Sequence, residues 1–271
     1  MEAIRPFKLG PLAVWHHPAP GTQRVILCHG TNEHSGRHGN HIRFFADCDV
    51  ELVRFDFRGH GHSDGDRQWI DSFRDYIDDL SAVAGWAQKE LPPKPTFFVG
   101  HSLGALVAVH WLAEQPSFAA GLVADGGAFG PSPHVSRWMM RLFLGLAGLA
   151  PRLRSPSALN CDHLSTDPSV VRSHREDPRI GKSNPINQGV AIIRAFQSAT
   201  AAMPKLHMPL LFLHGDADRI TGPDFARACL ALSPSNDKTL KLYRGGYHEL
   251  HNDVVKDQYF QDLKDWLQAH A

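Results

Sequence analysis

Ser102 sits in Gly100-His101-Ser102-Leu103-Gly104, directly after the apolar run Thr96-Phe97-Phe98-Val99 and directly before a stretch rich in Ala and Leu. Small residues around a serine let a strand turn sharply into a helix and hold the hydroxyl at the strand's end in a strained backbone. A serine hydroxyl is a weak nucleophile near neutral pH, so a histidine must take its proton and a carboxylate must fix that histidine's tautomer. The chain supplies both, each just past an apolar run. Leu210-Leu211-Phe212-Leu213 leads into His214-Gly215-Asp216-Ala217-Asp218, and Leu240 to Tyr243 leads into Gly245-Gly246-Tyr247-His248-Glu249. Ser102, Asp218 and His248 are therefore the expected nucleophile, orienting acid and base of an acyl-transfer site. Asp216 lies immediately beside the turn and is the weaker candidate. Asp125, after the run Gly121 to Ala124, is a third; it is expected to line the pocket entrance, replaceable by Asn while activity persists.

The tetrahedral intermediate of acyl transfer carries a negative charge that two backbone N–H groups must meet. The N–H of Leu103, next to the nucleophile, is one; the N–H of Thr31, after Cys28-His29-Gly30, is expected to be the other. There are 18 histidines, but only His248 has the required position. His248-Glu249-Leu250-His251 misses the H-E-x-x-H zinc spacing by one residue, and His34, His38 and His41 lack a companion Cys or carboxylate, so no metal is expected. Arg58-Gly59-His60-Gly61-His62-Ser63-Asp64-Gly65 fails the dinucleotide pattern G-x-G-x-x-G because Asp64 takes the last glycine's place. No cofactor is expected.

These residues need a scaffold that brings distant strand ends together. Short Val/Ile/Leu/Phe runs alternate with stretches of helical spacing, which argues for a mainly parallel sheet flanked by helices. Strands are expected at Val25 to Cys28, Leu52 to Phe57, Thr96 to Val99, Gly121 to Ala124, Leu210 to Leu213 and Leu240 to Tyr243. Helices are expected at Phe73 to Lys89, Leu103 to Glu114, Asp224 to Leu232 and Val254 to Ala269. The rhythm breaks after Gly130, so residues 1–129 and 203–271 read as one core and 130–202 as an inserted helical cap. Within the cap, Val135, Trp138, Met139, Leu142, Leu146 and Leu149 form an apolar face near Arg137, Arg141, Arg152 and Arg154. Such a face either packs on the core or touches a membrane surface peripherally.

Composition narrows the partners. Of 271 residues, 28 are Lys or Arg and 28 are Asp or Glu, a balance that supplies no field for a nucleic-acid backbone. The amino end lacks the apolar core of a signal peptide, and the four cysteines form no C-x-x-C pair, which fits reduced thiols in a cytoplasmic protein. The stretch Trp138 to Ala150 is too short to span a bilayer. A small-molecule ester or lipid is the expected partner; oligomeric state stays open.

The order Ser, Asp, His is that of the α/β-hydrolase arrangement. The chain resembles the monoacylglycerol lipase and lysophospholipase branch of that superfamily (serine aminopeptidase S33-like). His29-Gly30-Thr31-Asn32-Glu33-His34-Ser35-Gly36-Arg37 is similar to the branch's HG-x-x-EHSGR loop, and Asp56-Phe57-Arg58-Gly59-His60-Gly61-His62-Ser63-Asp64-Gly65 to its D-x-RGHG-x-S-x-G segment. The elbow around Ser102, the cap pattern Ser165-Thr166-Asp167-Pro168-Ser169-Val170-Val171 with Arg175-Glu176-Asp177-Pro178, and His248-Glu249 complete the match from about position 10 onward. The resemblance implies the α/β-hydrolase fold and a cofactor-independent serine hydrolase cleaving carboxylic esters, foremost monoacylglycerols, to fatty acid and glycerol through an acyl-enzyme. Lysophospholipase and small-ester carboxylesterase activities are the alternatives; an inactive binding protein of the same fold is a more distant one. The resemblance also implies that Glu33, Arg37 and His101 surround the glycerol head group; an ion pair pinning the loop is the other role open to Glu33 and Arg37. Two departures bear on the substrate: Thr31-Asn32 replaces a small pair, and Asp125-Gly126-Gly127 stands where a Ser-Pro type sequence is usual.

Overall fold

The computed structural model describes residues 4–131, 138, 144, 145, 147–157 and 159–271. Runs of fully apolar residues bounded by turn formers become strands covered on both faces. Every residue is buried in β3 (Arg24–Cys28), β4 (Glu51–Asp56), β5 (Thr96–His101), β6 (Gly121–Asp125) and β9 (Leu210–Gly215). With β10 (Lys238–Tyr243) and the hairpin β1 (Phe7–Leu9) and β2 (Leu12–His17), they form an eight-stranded sheet in the order β1-β2-β4-β3-β5-β6-β9-β10. From β4 to β10 every pairing is parallel, and β2 runs antiparallel to β4.

Side chains alternate across the sheet, so the strands feed two cores. Ile26, Cys28, Phe55, Phe98, Leu122 and Phe212 pack on one face with α2 (Arg74–Glu90) and α3 (Leu103–Glu114). Val25, Leu27, Leu52, Phe97, Val99 and Leu213 pack on the other with α7 (Lys256–Ala269) and Phe45 of α1 (Gly39–Asp47).

All six expected strands and four expected helices are present, with ends shifted by a residue or two. The β1–β2 hairpin and α1 were not expected. Their apolar runs are short, and α1 opens on Gly39-Asn40, poor helix formers.

Strands β6 and β9 pair directly, Leu122 opposite Leu210, so everything between them leaves and rejoins neighbouring strands. That segment holds α4 (Pro168–Glu176), whose N-cap Asp167 accepts the Ser169 N–H, and a small antiparallel pair β7 (Arg154–Pro156) and β8 (Ser183–Pro185). It ends in α5 (Ile186–Ala202), which carries the chain back to the start of β9 and sets Ala191, Ala195, Ala199 and Ala202 into the main core. After β9 comes α6 (Pro223–Ala231). Of the expected apolar face in this segment, Trp138 and Leu149 are 67% and 85% exposed, not packed on the core. Val135, Met139, Leu142 and Leu146, with Arg137 and Arg141, lie outside the described residues. Among the described residues, no helix is long and apolar enough to cross a membrane.

Candidate active site

Ser102 occupies the turn between β5 and α3 with φ 51° and ψ −114°, a conformation disfavoured for a residue with a side chain. Two hydrogen bonds hold it there: its N–H donates to Asp125 O at 2.9 Å, and its carbonyl accepts Ala128 N–H at 3.1 Å. The flanking glycines are steric requirements. A Cβ on Gly104 would overlap the Cys28 carbonyl, and one on Gly100 would lie 2.6 Å from the Ala105 backbone.

His248 and Asp218 meet at the carboxyl ends of β10 and β9. His248 Nδ1 lies 2.8 Å from Asp218 Oδ2, with both side chains buried. Asp218 Oδ1 accepts the N–H groups of Ile220 (2.7 Å) and Thr221 (3.0 Å). Its Oδ2 also faces Thr221 Oγ1 at 2.9 Å and His214 Nε2 at 3.2 Å. Burial disfavours the charged carboxylate, yet His248 and His214 outweigh it and hold Asp218 far below the usual carboxylate range. Asp216 is exposed and accepts the Gly245 N–H at 2.7 Å, a turn-closing role. Ser102 and His248 share one support: a Cβ on Gly126 would sit 3.3 Å from His248 Nδ1, and the Asp125 and Ala128 bonds to Ser102 flank that glycine.

Asp125 is fully buried, not at a pocket entrance. It is the last residue of β6, opposite His101 across the β5–β6 pair, and this register turns its side chain inward. Its Oδ2 contacts His101 Nδ1 (3.1 Å) and His251 Nδ1 (2.8 Å). Burial opposes a charge on His101, but Asp125, Glu33 and Glu249 overcome it and raise the imidazole to about 9.

The loop after β3 is aimed by a histidine. Phe57 N–H donates to His29 Nε2 at 2.9 Å, so the His29 proton is on Nδ1, which donates to Gly30 O at 2.7 Å. In a trans peptide the N–H points opposite to the C=O, so holding Gly30 O fixes the direction of Thr31 N–H. A Cβ on Gly30 would lie 3.1 Å from Ser102 Cβ, which brings this loop against Ser102. The Leu103 N–H belongs to the first turn of α3, where amides have no helical acceptor and the helix dipole is positive.

Glu33, Arg37 and His101 come together in one buried cluster. Arg37 Nη2 contacts both oxygens of Glu249 at 2.9 and 2.8 Å, while Arg37 Nε is 3.9 Å from Glu33 Oε2. Glu33 Oε1 accepts the Gly30 N–H and faces His38 Nε2. Glu33 Oε2 and Arg37 Nε are buried with no hydrogen-bond partner among the described residues. Burial would raise both acids, yet His38 lowers Glu33 and Arg37 lowers Glu249.

Ten histidines are buried among the described residues. His38, His41 and His251 converge, but the His38 and His251 rings stack 16° from parallel with centroids 4.6 Å apart. In-plane lone pairs on parallel rings cannot meet at one ion, so this cluster is not built as a metal centre. In the group His101, Asp125 and His251, Nδ1 of each histidine is taken up by a hydrogen bond to the carboxylate. Sequence reasoning missed Thr221, His214, Glu249 and His251; Glu249 and His251, as neighbours of His248, carried the only signal.

The sheet order, the strained serine after β5 and the His–Asp pair beyond β10 and β9 are the arrangement of an α/β-hydrolase-fold ester hydrolase. The sequence pattern of the serine aminopeptidase (S33) family matches residues 19–254, and the chain belongs to that family. It is similar to human monoglyceride lipase, 30% identical over 246 residues that make up 90% of this chain and 81% of the relative. It is also similar to the monoacylglycerol lipase of Mycolicibacterium smegmatis, 30% identical over 258 residues, 95% and 92% of the two chains. The crystal structure of Paleococcus ferrophilus monoacylglycerol lipase matches the fold with a TM-score of 0.88 at 28% identity, covering 96% of this chain and 99% of that one.

Proposed function

We propose that the protein hydrolyses monoacylglycerols to fatty acid and glycerol. The observation that carries the substrate class is the buried polar cluster beside the elbow, where Glu33 Oε2 and Arg37 Nε face each other at 3.9 Å with no hydrogen-bond partner among the described residues. Buried polar atoms left unsatisfied are costly, and the hydroxyls of a glyceryl leaving group supply the missing donors and acceptors once water is excluded. The names of the similar proteins point the same way.

In this reading Ser102 Oγ attacks the ester carbonyl as His248 Nε2 takes its proton, with Asp218 stabilising the imidazolium. The N–H groups of Thr31 and Leu103 bind the oxyanion. Collapse breaks the ester C–O bond, and His248 returns the proton to the departing glycerol oxygen. Water, activated by His248, then releases the acyl group and restores Ser102. Glu33, Arg37 and His101 hold the head group. Residues 130–202 act as the cap, with α5 shared between cap and core. The exposed Trp138, Leu149 and Leu153 support peripheral contact of the cap with a lipid surface. The four free cysteines support a cytoplasmic location.

The test is glycerol release from monoacylglycerols of graded chain length, comparing the native protein with Ser102→Ala and with lysophosphatidylcholine and a short nitrophenyl ester alongside. Fast monoglyceride cleavage, absent in the variant, is expected. Cleavage of the short ester alone would overturn the substrate, and activity surviving in Ser102→Ala would overturn the mechanism.

A further inference from the structure

Asn32, one of the two residues that depart from the small pair after His29-Gly30, is 2% exposed and has φ 54°. Left-handed backbone suits glycine; among other residues Asn tolerates it best, and hydrogen bonds to its side chain help to hold it there. Those bonds come from the segment inserted between β6 and β9. Asn32 Nδ2 donates to Gly181 O at 2.8 Å and to Asn184 Oδ1 at 3.1 Å, and Asn32 Oδ1 accepts Asn184 Nδ2 at 2.9 Å. The backbone of Asn32 is held as well, its carbonyl lying 3.0 Å from His174 Nε2. His174 Nδ1 faces Cys161 Sγ at 3.3 Å, so the thiol proton can occupy that side and leave Nε2–H to donate. Thr31 joins through its own hydroxyl, which donates to Asn32 Oδ1 at 3.2 Å.

Asn184 is anchored in turn. Its amide nitrogen reaches Gln188 Oε1 at 2.8 Å and Gln68 Oε1, three oxygens with Asn32 competing for two hydrogens, and Gln188 Nε2 donates to Tyr76 OH at 2.7 Å. A chain of amides, buried at Asn32, Gln68 and Gln188 and half-buried at Asn184, therefore runs from α2 of the core, through β8 and α5, to the loop that carries Thr31. Asn32 is bonded from both sides by residues about 150 positions away in sequence. Other polar contacts of this segment land nearby: Asp177 on His34, and the Leu164 carbonyl on the N–H of Glu249, beside His248.

We propose that Asn184 and His174 are positioning residues for the oxyanion loop. Acting through Asn32, they hold Thr31 N–H in the direction that His29 sets from the other side, so the oxyanion site is complete only while this segment is docked. The inference rests on the serine-hydrolase reading above. It concerns the transition state: a donor aimed at the oxyanion changes kcat and kcat/KM together and leaves KM alone, whereas a segment that merely shapes the acyl pocket changes KM.

The experiment measures kcat and KM on one monoacylglycerol and one short nitrophenyl ester for the native protein, Ser102→Ala, Asn184→Ala, Asn32→Gly and the Asn32→Gly/Asn184→Ala double variant. Loss of a whole oxyanion donor costs roughly 10²–10³ in kcat, so misaiming one is expected to cost about tenfold on both esters, with KM within about twofold. The double variant is expected to lose no more than the worse single, because both remove one clamp. Asn32→Gly keeps the left-handed backbone free of strain and carries the test should Asn184→Ala fail to fold. Unchanged kcat with raised KM, or additive losses in the double variant, would overturn the proposal while an inactive Ser102→Ala left the hydrolase reading standing. An active Ser102→Ala would overturn both.

Discussion

Asp218→Asn is nearly isosteric, and the structure determines which way its amide must face. Oδ1 of Asp218 accepts two backbone N–H groups, Ile220 at 2.7 Å and Thr221 at 3.0 Å. Only an oxygen can satisfy both, so the amide oxygen takes that position and the NH2 falls where Oδ2 faces His248 Nδ1. There it donates to Nδ1 and selects the tautomer with the proton on Nε2. The nitrogen that must accept the Ser102 proton then already carries one, and the stabilising charge behind the imidazolium is gone. The equivalent swap in a serine triad lowers kcat by about 10⁴, which is about 5.4 kcal/mol of barrier. The assay is steady-state turnover of a short nitrophenyl ester and a monoacylglycerol, with KM expected to change little and unfolding curves confirming the fold. A variant within about tenfold of native kcat would refute this tautomer argument. So would a larger loss in Asp125→Asn.

Asp125→Asn itself is expected to keep turnover within about tenfold, since Asp125 bonds His101 and His251 and not His248. Its signature is alkaline stability. His101 is raised to about 9, so its contribution is complete below about 6.5 and is lost as pH rises through 9; the native Tm should fall across that window and the variant's should not. Arg37→Ala strands Glu249 and Glu33 as buried charges and is expected to cost about 3–5 kcal/mol in denaturant unfolding. The same variant should raise KM for monoacylglycerol more than for the nitrophenyl ester. Gly104→Ala drives a methyl into the Cys28 carbonyl, and a loss of about 3 kcal/mol or more is expected; a native-like unfolding midpoint would contradict the close approach of α3 to β3.

What the sequence makes legible is local. Apolar runs bounded by turn residues mark the central strands, and the GHSLG pentapeptide, between a strand and a helix, marks the elbow. The expected order Ser, Asp, His needs only three strand ends in the right sequence. What stays hidden depends on register and on contacts between distant segments. Asp125 turns inward because it lies opposite His101, and nothing near position 125 announces His251. Arg37, read as a partner of Glu33 four residues away, forks onto Glu249 instead, because the loop after β10 brings that carboxylate closer. Thr221 and His214 look unremarkable in sequence, yet both face Asp218 Oδ2. The role of Asn32 is hidden for the same reason, since its partners lie across the insertion.

The buried histidines have a consequence for how the molecule comes apart. Burial lowers His29, His34, His38, His41 and His174, and takes His60 down to about 3. An unfolded chain binds protons at these rings near pH 6.5, so below that pH unfolding takes up protons that the native state refuses. Each such ring steepens the loss of stability by up to about 1.4 kcal/mol per pH unit as the medium acidifies. Calorimetry of acid unfolding in buffers of different ionisation heat would read that proton uptake directly. The packing that encloses the site thus makes mild acidity an unfolding agent in its own right.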